Sequence, residues 1–129
     1  MNARAALNSY NDVHIKAGAQ GASSHRLVTM LFEGFLERVA QAKGAIQQQN
    51  IELRGTKIND ASSILMGLKD SLDLERGGEV AQNLDALYDY VQRILLQAHM
   101  KTDEDLLDEC GRLIAPVASA WREMGTQLD

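Results

Sequence analysis

The chain is poor in the residues on which small secreted scaffolds, membrane spans and many catalytic centres depend. Its 129 residues include one cysteine, one proline and three histidines, and aromatic side chains make up only 5%. A lone Cys110 cannot close an intramolecular disulfide, which excludes the disulfide-stapled class and suits a reducing cytosol. Long apolar runs are missing as well. The best candidate, Leu27 to Leu36, is interrupted by Glu33, and Met1 to Tyr10 lacks the roughly 7–15-residue apolar stretch of a secretory signal. No membrane insertion is expected. Basic charge is also scarce. Thirteen Lys and Arg against 18 Asp and Glu leave a formal charge of -5 with no basic run. That balance argues against a nucleic-acid partner, because phosphate binding draws on clustered Lys and Arg.

Signatures of catalysis and metal binding are absent in the same way. There is no Gly-x-x-x-x-Gly-Lys loop, no Gly-x-Ser-x-Gly elbow and no zinc-type His/Cys spacing. A di-metal site in a helical bundle needs Glu-x-x-His pairs, but Asn11, Ala22 and Leu96 stand three positions before His14, His25 and His99. Cys110 falls on an apolar helical stripe and reads as a packing residue. The acidic set Asp103, Glu104, Asp105, Asp108 and Glu109 reads as a solvated face that complements a helix N-terminus. No metal, no cofactor and no enzymatic activity is expected.

What is present is helical periodicity, over a composition 45% hydrophobic and 24% charged that fits one globular domain spanning 1–129. Residues 24–49 place Leu27, Leu31, Phe35, Val39, Ala42 and Ile46 at three- or four-residue steps, with Ser23 or Ser24 as N-cap. Residues 51–72, capped by Asn50, place Ile51, Ile58, Ala61, Leu65, Leu68 and Leu72 on one stripe. Gly77-Gly78 reads as a turn that stops this helix. Residues 79–101 follow, with Val80, Leu84, Leu87, Val91, Ile94 and Ala98 inward. Thr102 is expected to cap a last helix over 103–126, with Leu106, Cys110, Leu113, Val117, Ala120 or Trp121, and Met124 on its face. Pro116 lies inside it and predicts a bend near Arg112 to Pro116.

Four such helices with short connections imply an all-α, antiparallel up-down four-helix bundle on the order of 30 Å long. Before it come a short N-terminal arm or cap (1–16) and a hinge (17–23) made of Ala, Gly, Gln and Ser. The apolar content exceeds what a two-layer bundle requires. Val28, Met30, Phe32 and Leu36 flank the first stripe, and Ala81, Tyr88, Tyr90, Leu95 and Leu96 flank the third. Two readings of this excess stay open: a fuller core or homodimer seam, or a surface for another chain. Leu7, Tyr10, Val13 and Ile15 form a small apolar set on the arm, either a permanently docked cap or a cover that a partner helix displaces.

Taken together, these residues resemble the flagellar secretion chaperone FliS family. The likeness runs from Leu7 to Trp121, and its most specific part is the run Ser71 to Tyr90, with its Gly77-Gly78 turn and Leu87-Tyr88-Asp89-Tyr90 helix, followed by Arg93, Leu95, Leu96 and Ala98. Also similar are Tyr10 with Val13, Ala22-Ser23 before Leu27 to Gly34, Gln41 to Lys43, and Ala120-Trp121. The chain departs from the family pattern at Ser24, where proline is common, at Ile94, where a second basic residue is common, and at Pro116.

The resemblance implies a non-enzymatic export chaperone of the bacterial cytosol. It would bind the disordered C-terminal segment of flagellin in apolar grooves, prevent premature polymerisation and deliver it to the flagellar type III export gate. Regulatory flagellar proteins are further partners in some members. Hiding an amphipathic segment in this way requires a large wrapped surface, because ordering the segment is costly. Leu31, Phe32, Leu84, Leu87, Tyr88, Val91 and Leu95 are the expected client-facing or groove-forming residues, and Leu7, Tyr10 and Val13 the displaceable cap. The chaperone would be a monomer or weak homodimer. The alternative is a homo-oligomeric structural bundle without a client.

Overall fold

A computed structural model describes residues 24–128. The expected arm (1–16), the hinge (17–23) and the cap residues Leu7, Tyr10 and Val13 lie outside the described residues. Four helices follow one another: α1 (Ser24–Gln47), α2 (Ile51–Asp70), α3 (Gly78–Lys101) and α4 (Glu104–Leu128). Each packs against its neighbours in sequence, and α1 closes the ring on α4. Connections of two to seven residues between helices of 20 to 25 residues force neighbours to run antiparallel. The result is an all-α four-helix bundle.

Two of the helix ends use the same device at the same end of the bundle. Gln49 takes a left-handed conformation (φ 58°), its N–H donates to Ile46 O (3.0 Å), and the N–H of Asn50 reaches back to Ala45 O (2.9 Å). This paired closure ends α1 at Gln47 rather than at Gln49. Asn50 then starts the next helix, its Oδ1 accepting from Leu53 N–H (3.0 Å). Thr102 (φ 52°) repeats the pattern, with Asp103 N–H donating to Ala98 O (3.1 Å). Asp103, not Thr102, is the cap of α4, since its Oδ1 accepts from Asp105 N–H (2.9 Å). A bond from Arg54 Nη1 to Thr102 Oγ1 (2.9 Å) ties the first turn of α2 to the end of α3.

The opposite end carries the longer connection, 71–77. α2 stops at Asp70 rather than at Leu72, and the Ser71 hydroxyl caps it by donating to Leu68 O (2.6 Å). Asp73 Oδ1 then accepts from Arg76 N–H (3.1 Å), and Gly77 N–H donates to Asp73 O (2.8 Å). A Cβ on Gly77 would collide with that carbonyl and with Ala81, and Gly78 stands at φ 58°, a region costly to any residue with a Cβ. The two glycines therefore launch α3 rather than stop α2.

Leu31, Phe35, Leu65, Leu68, Val91, Leu95, Leu107, Cys110 and Ile114 are fully enclosed at the centre. Burial of each large aliphatic or aromatic side chain contributes about 1.5–3 kcal/mol before the entropy of ordering it is counted. Three of the expected stripes are shifted. On α4 the core line is Leu107, Cys110, Ile114 and Ala118, while Leu106, Leu113 and Val117 pack beside it half-buried and Met124 is exposed. On α2, Ile51 is exposed and Ile64 takes its share of the core. On α3, Val80 is 69% exposed while its neighbour Ala81 is buried. Part of the apolar excess is simply core: Met30, Phe32, Ala81, Tyr88 and Leu95 are all buried.

Around the rim, Lys43 bridges α1 to Asp108 of α4 (2.9 Å), and Lys69 bridges α2 to Asp85 and Asp89 of α3 (2.9 and 2.7 Å). These pairs are half-exposed and solvent-screened, so they orient helices more than they hold them. The acidic start of α4 is tied in the same manner, with Glu104 accepting from Gln47 and Glu109 from Tyr90. It is an inter-helix seam rather than a purely solvated face. Among the described residues no group of three or more His, Cys, Asp or Glu is placed to hold a metal ion.

Candidate functional site

At the end of the bundle where α1 begins and α4 finishes, α3 and α4 flank a groove of about 580 Å³. Its deepest residues are Phe32 of α1 and Tyr88 and Ala81 of α3, all buried. Val28, Leu72, Leu84, Val117 and Trp121 form half-buried walls, and Val80 and Met124 stand at the rim, 69% and 51% exposed. Apart from Ser71 and Asp73, the side chains that line it are apolar or aromatic. Burial pushes the Tyr88 phenol up to about 12, so the ring is neutral at physiological pH.

One wall of the groove is fastened directly to α1. The His25 ring stacks on the Trp121 indole with centroids 4.7 Å apart and 6° between planes. Trp121 Nε1–H donates to His25 O (3.1 Å), and His25 Nε2 lies 2.6 Å from Trp121 O. A carbonyl only accepts, so Nε2 carries the proton. A Cβ on Gly125 would run into the imidazole, which makes glycine necessary one turn beyond the tryptophan. The first turn of α1, where the chain joins the preceding segment, thus sits beside the groove.

The expected site residues divide. Phe32, Leu84 and Tyr88 do line the groove. Leu31 and Val91 do not: both have no exposed surface and belong to the central core, because a step of about 100° per residue turns Leu31 away from the face that Phe32 presents. Leu87 is half-buried against the core and lines no part of this groove. Leu95 is buried at the base of a smaller depression of about 360 Å³ between α2 and α3, with Ser62, Gln92, Arg93 and Leu96.

The whole α4 wall, Pro116, Val117, Ala120, Trp121 and Met124, was outside the expected set, and so were Leu72 and the rim position of Val80. A signal for it exists in the sequence. Val117, Ala120, Trp121 and Met124 recur at steps of three, one and three, next to the separate line Leu107, Ile114 and Ala118 that fills the core. One helix carrying two apolar lines has a face left over for something besides its own bundle.

Fold and site together define a small four-helix bundle with a preformed apolar groove. Residues 6–128 match the family described as flagellar protein FliS. Over 121 residues the chain is 44% identical to flagellar secretion chaperone FliSB of Pseudomonas aeruginosa, covering 94% of this chain and 96% of that protein. It is 37% identical over 121 residues to flagellar secretion chaperone FliS of Vibrio cholerae, covering 94% and 89%. Against the Salmonella typhimurium flagellar secretion chaperone FliS it is 35% identical over 119 residues, covering 92% and 88%. The chain belongs to the FliS family of flagellar secretion chaperones. None of the described helices is long and apolar enough to cross a membrane.

Proposed function

We propose that the chain works in the bacterial cytosol as a non-enzymatic export chaperone, holding the C-terminal segment of flagellin in the groove between α3 and α4. The observation that supports this most is the groove itself, an apolar slot with exposed Val80 and Met124 at its rim in a member of a secretion-chaperone family. A segment that is disordered alone and helical when assembled carries apolar anchors that would otherwise self-associate. Seated in such a slot, those anchors leave water and the segment stays unpolymerised until export. Handover to the flagellar type III export gate, and contact with regulatory flagellar proteins, belong to the same reading.

The arm fits this role as a cover. Residues 1–23 join the body at Ser24, next to the His25–Trp121 contact on the groove wall. In the same proposal, Leu7, Tyr10 and Val13 of the arm act as a displaceable cap that gives way to the client. The chaperone itself is a monomer or weak homodimer. Size-exclusion chromatography with light scattering, run on the chain mixed with full-length flagellin, tests the proposal. A one-to-one complex supports it. Two separate species, or a stable oligomer of the chain alone that takes up no flagellin, would favour the client-free bundle instead.

A further inference from the structure

Pro116 is the one residue of the groove wall whose backbone differs in kind from the rest. It lies inside α4, exposed, on the groove. In an ordinary helix the N–H of residue 116 would donate to the carbonyl of Arg112. Proline has no N–H, and its ring crowds that carbonyl and tilts it out of the helix. α4 nevertheless continues to Leu128 and keeps Ile114 and Ala118 in the core, so the helix tolerates the lost bond without breaking. A helical carbonyl points along the axis toward the residue four positions on, so the Arg112 oxygen faces Pro116, which itself lines the groove. Arg112 is exposed, and its exposed neighbours Ala115, Ser119 and Ala120 are short.

We propose that the Arg112 carbonyl is the polar anchor of the groove. It accepts a hydrogen bond from a donor side chain, an amide, hydroxyl, ammonium or guanidinium group, on the segment bound there. The inference rests on the function proposed above. Apolar contacts are non-directional and fix the register of a bound segment only loosely. One directional bond does more, because a segment slid out of register leaves the carbonyl covered and unpaired, and that costs more than the bond returns. Pro116 is therefore a specificity-determining residue. It frees the acceptor rather than touching the donor.

Pro116→Ala restores the N–H and closes the bond to Arg112. The wild-type chain and this variant are each titrated calorimetrically with the flagellin C-terminal peptide, and with peptides in which each Asn, Gln, Ser, Thr, Lys or Arg is replaced singly by Ala. Pro116→Ala is expected to melt at the same or a higher temperature and to bind about three- to tenfold more weakly. One peptide substitution should weaken binding to wild type by a similar factor and have no further effect in the variant. Equal affinity of the two proteins overturns the inference. So do peptide substitutions that all remain additive in Pro116→Ala, since that result leaves only lost ring contact. Failure of the wild type to bind any of the peptides overturns the proposed function instead, and this inference with it.

Discussion

His25 and Trp121, 96 positions apart, hold each other by two hydrogen bonds and a stacked pair of rings. The contact joins the first turn of α1 to the stretch of α4 that walls the groove. Each partner uses a side-chain N–H and a backbone carbonyl, so neither can be replaced by a residue of similar bulk without losing a bond.

Disturbing this clasp should loosen the groove end more than the bundle. His25→Ala removes the stack and one hydrogen bond, and should destabilise by about 1–3 kcal/mol. Gly125→Ala forces the imidazole aside and should cost a similar amount. Hydrogen exchange is the informative measurement: protection should fall in α4 near Trp121 and in the first turns of α1, with Leu65 and Leu95 in the central core unaffected. A uniform loss over all four helices would make the clasp an ordinary part of global stability.

Groove and core residues should separate in their effects. Val80→Asp places a charge at an exposed rim position in the first turn of α3, where an acid suits the helix dipole. Client binding should weaken tenfold or more with little change in melting. Leu31→Ala, by contrast, opens a cavity in the enclosed centre and should cost about 2–5 kcal/mol of stability. Urea unfolding of both variants, beside peptide titration, distinguishes the two classes.

The position of each helix was legible because three- and four-residue recurrences run through 24–49, 51–72, 79–101 and 103–126, each within two residues of the observed helix at either end. The ends were less so: Gln49 and Thr102 adopt left-handed geometry without being glycine, and composition carries no mark of that. On α4, Leu106/Leu113/Val117 and Leu107/Ile114/Ala118 are adjacent lines of equal periodicity, and only packing against α1 and α3 decides which is inward. The groove lay further out of reach. Its walls come from α1, α3, α4 and the 71–77 connection, so Val80 and Met124 become rim residues only once those elements meet. Phe32 and Tyr88, which line the groove, belong to the apolar excess, whereas Leu84 lies on the main stripe of its helix; Leu31 and Val91 lie on such stripes too but point into the centre.

Stability should fall on the alkaline side. Burial, aided by the charge of Glu109, pushes the Cys110 thiol from 9.0 to about 12, and burial moves the Tyr88 phenol from 10.0 to about 12. Both groups keep their proton in the fold and lose it more readily when unfolded. Their contribution is therefore complete below about pH 9 and is lost as pH rises toward 12, at up to about 1.4 kcal/mol per pH unit for each. Lys69, raised by its hydrogen bonds to Asp89 and Asp85, adds in the same sense at the upper end. Urea midpoints measured from about pH 8 to about pH 10.5 should decline, and Cys110→Ala should delay the onset by about one pH unit. A flat profile would contradict the burial of both groups.

If the arm covers the groove, Tyr10→Ala should tighten client binding while leaving helicity and melting nearly unchanged. Loss of thermal stability with unaltered affinity would make the arm a fixed part of the body.

The most direct test of the account is a calorimetric titration of the wild-type chain and of Val80→Asp with the C-terminal peptide of flagellin. The groove reading predicts one-to-one binding by the wild type, with a negative heat-capacity change from apolar burial, and at least tenfold weaker binding by the variant. Absence of binding by the wild type, or equal affinity in Val80→Asp, would contradict it.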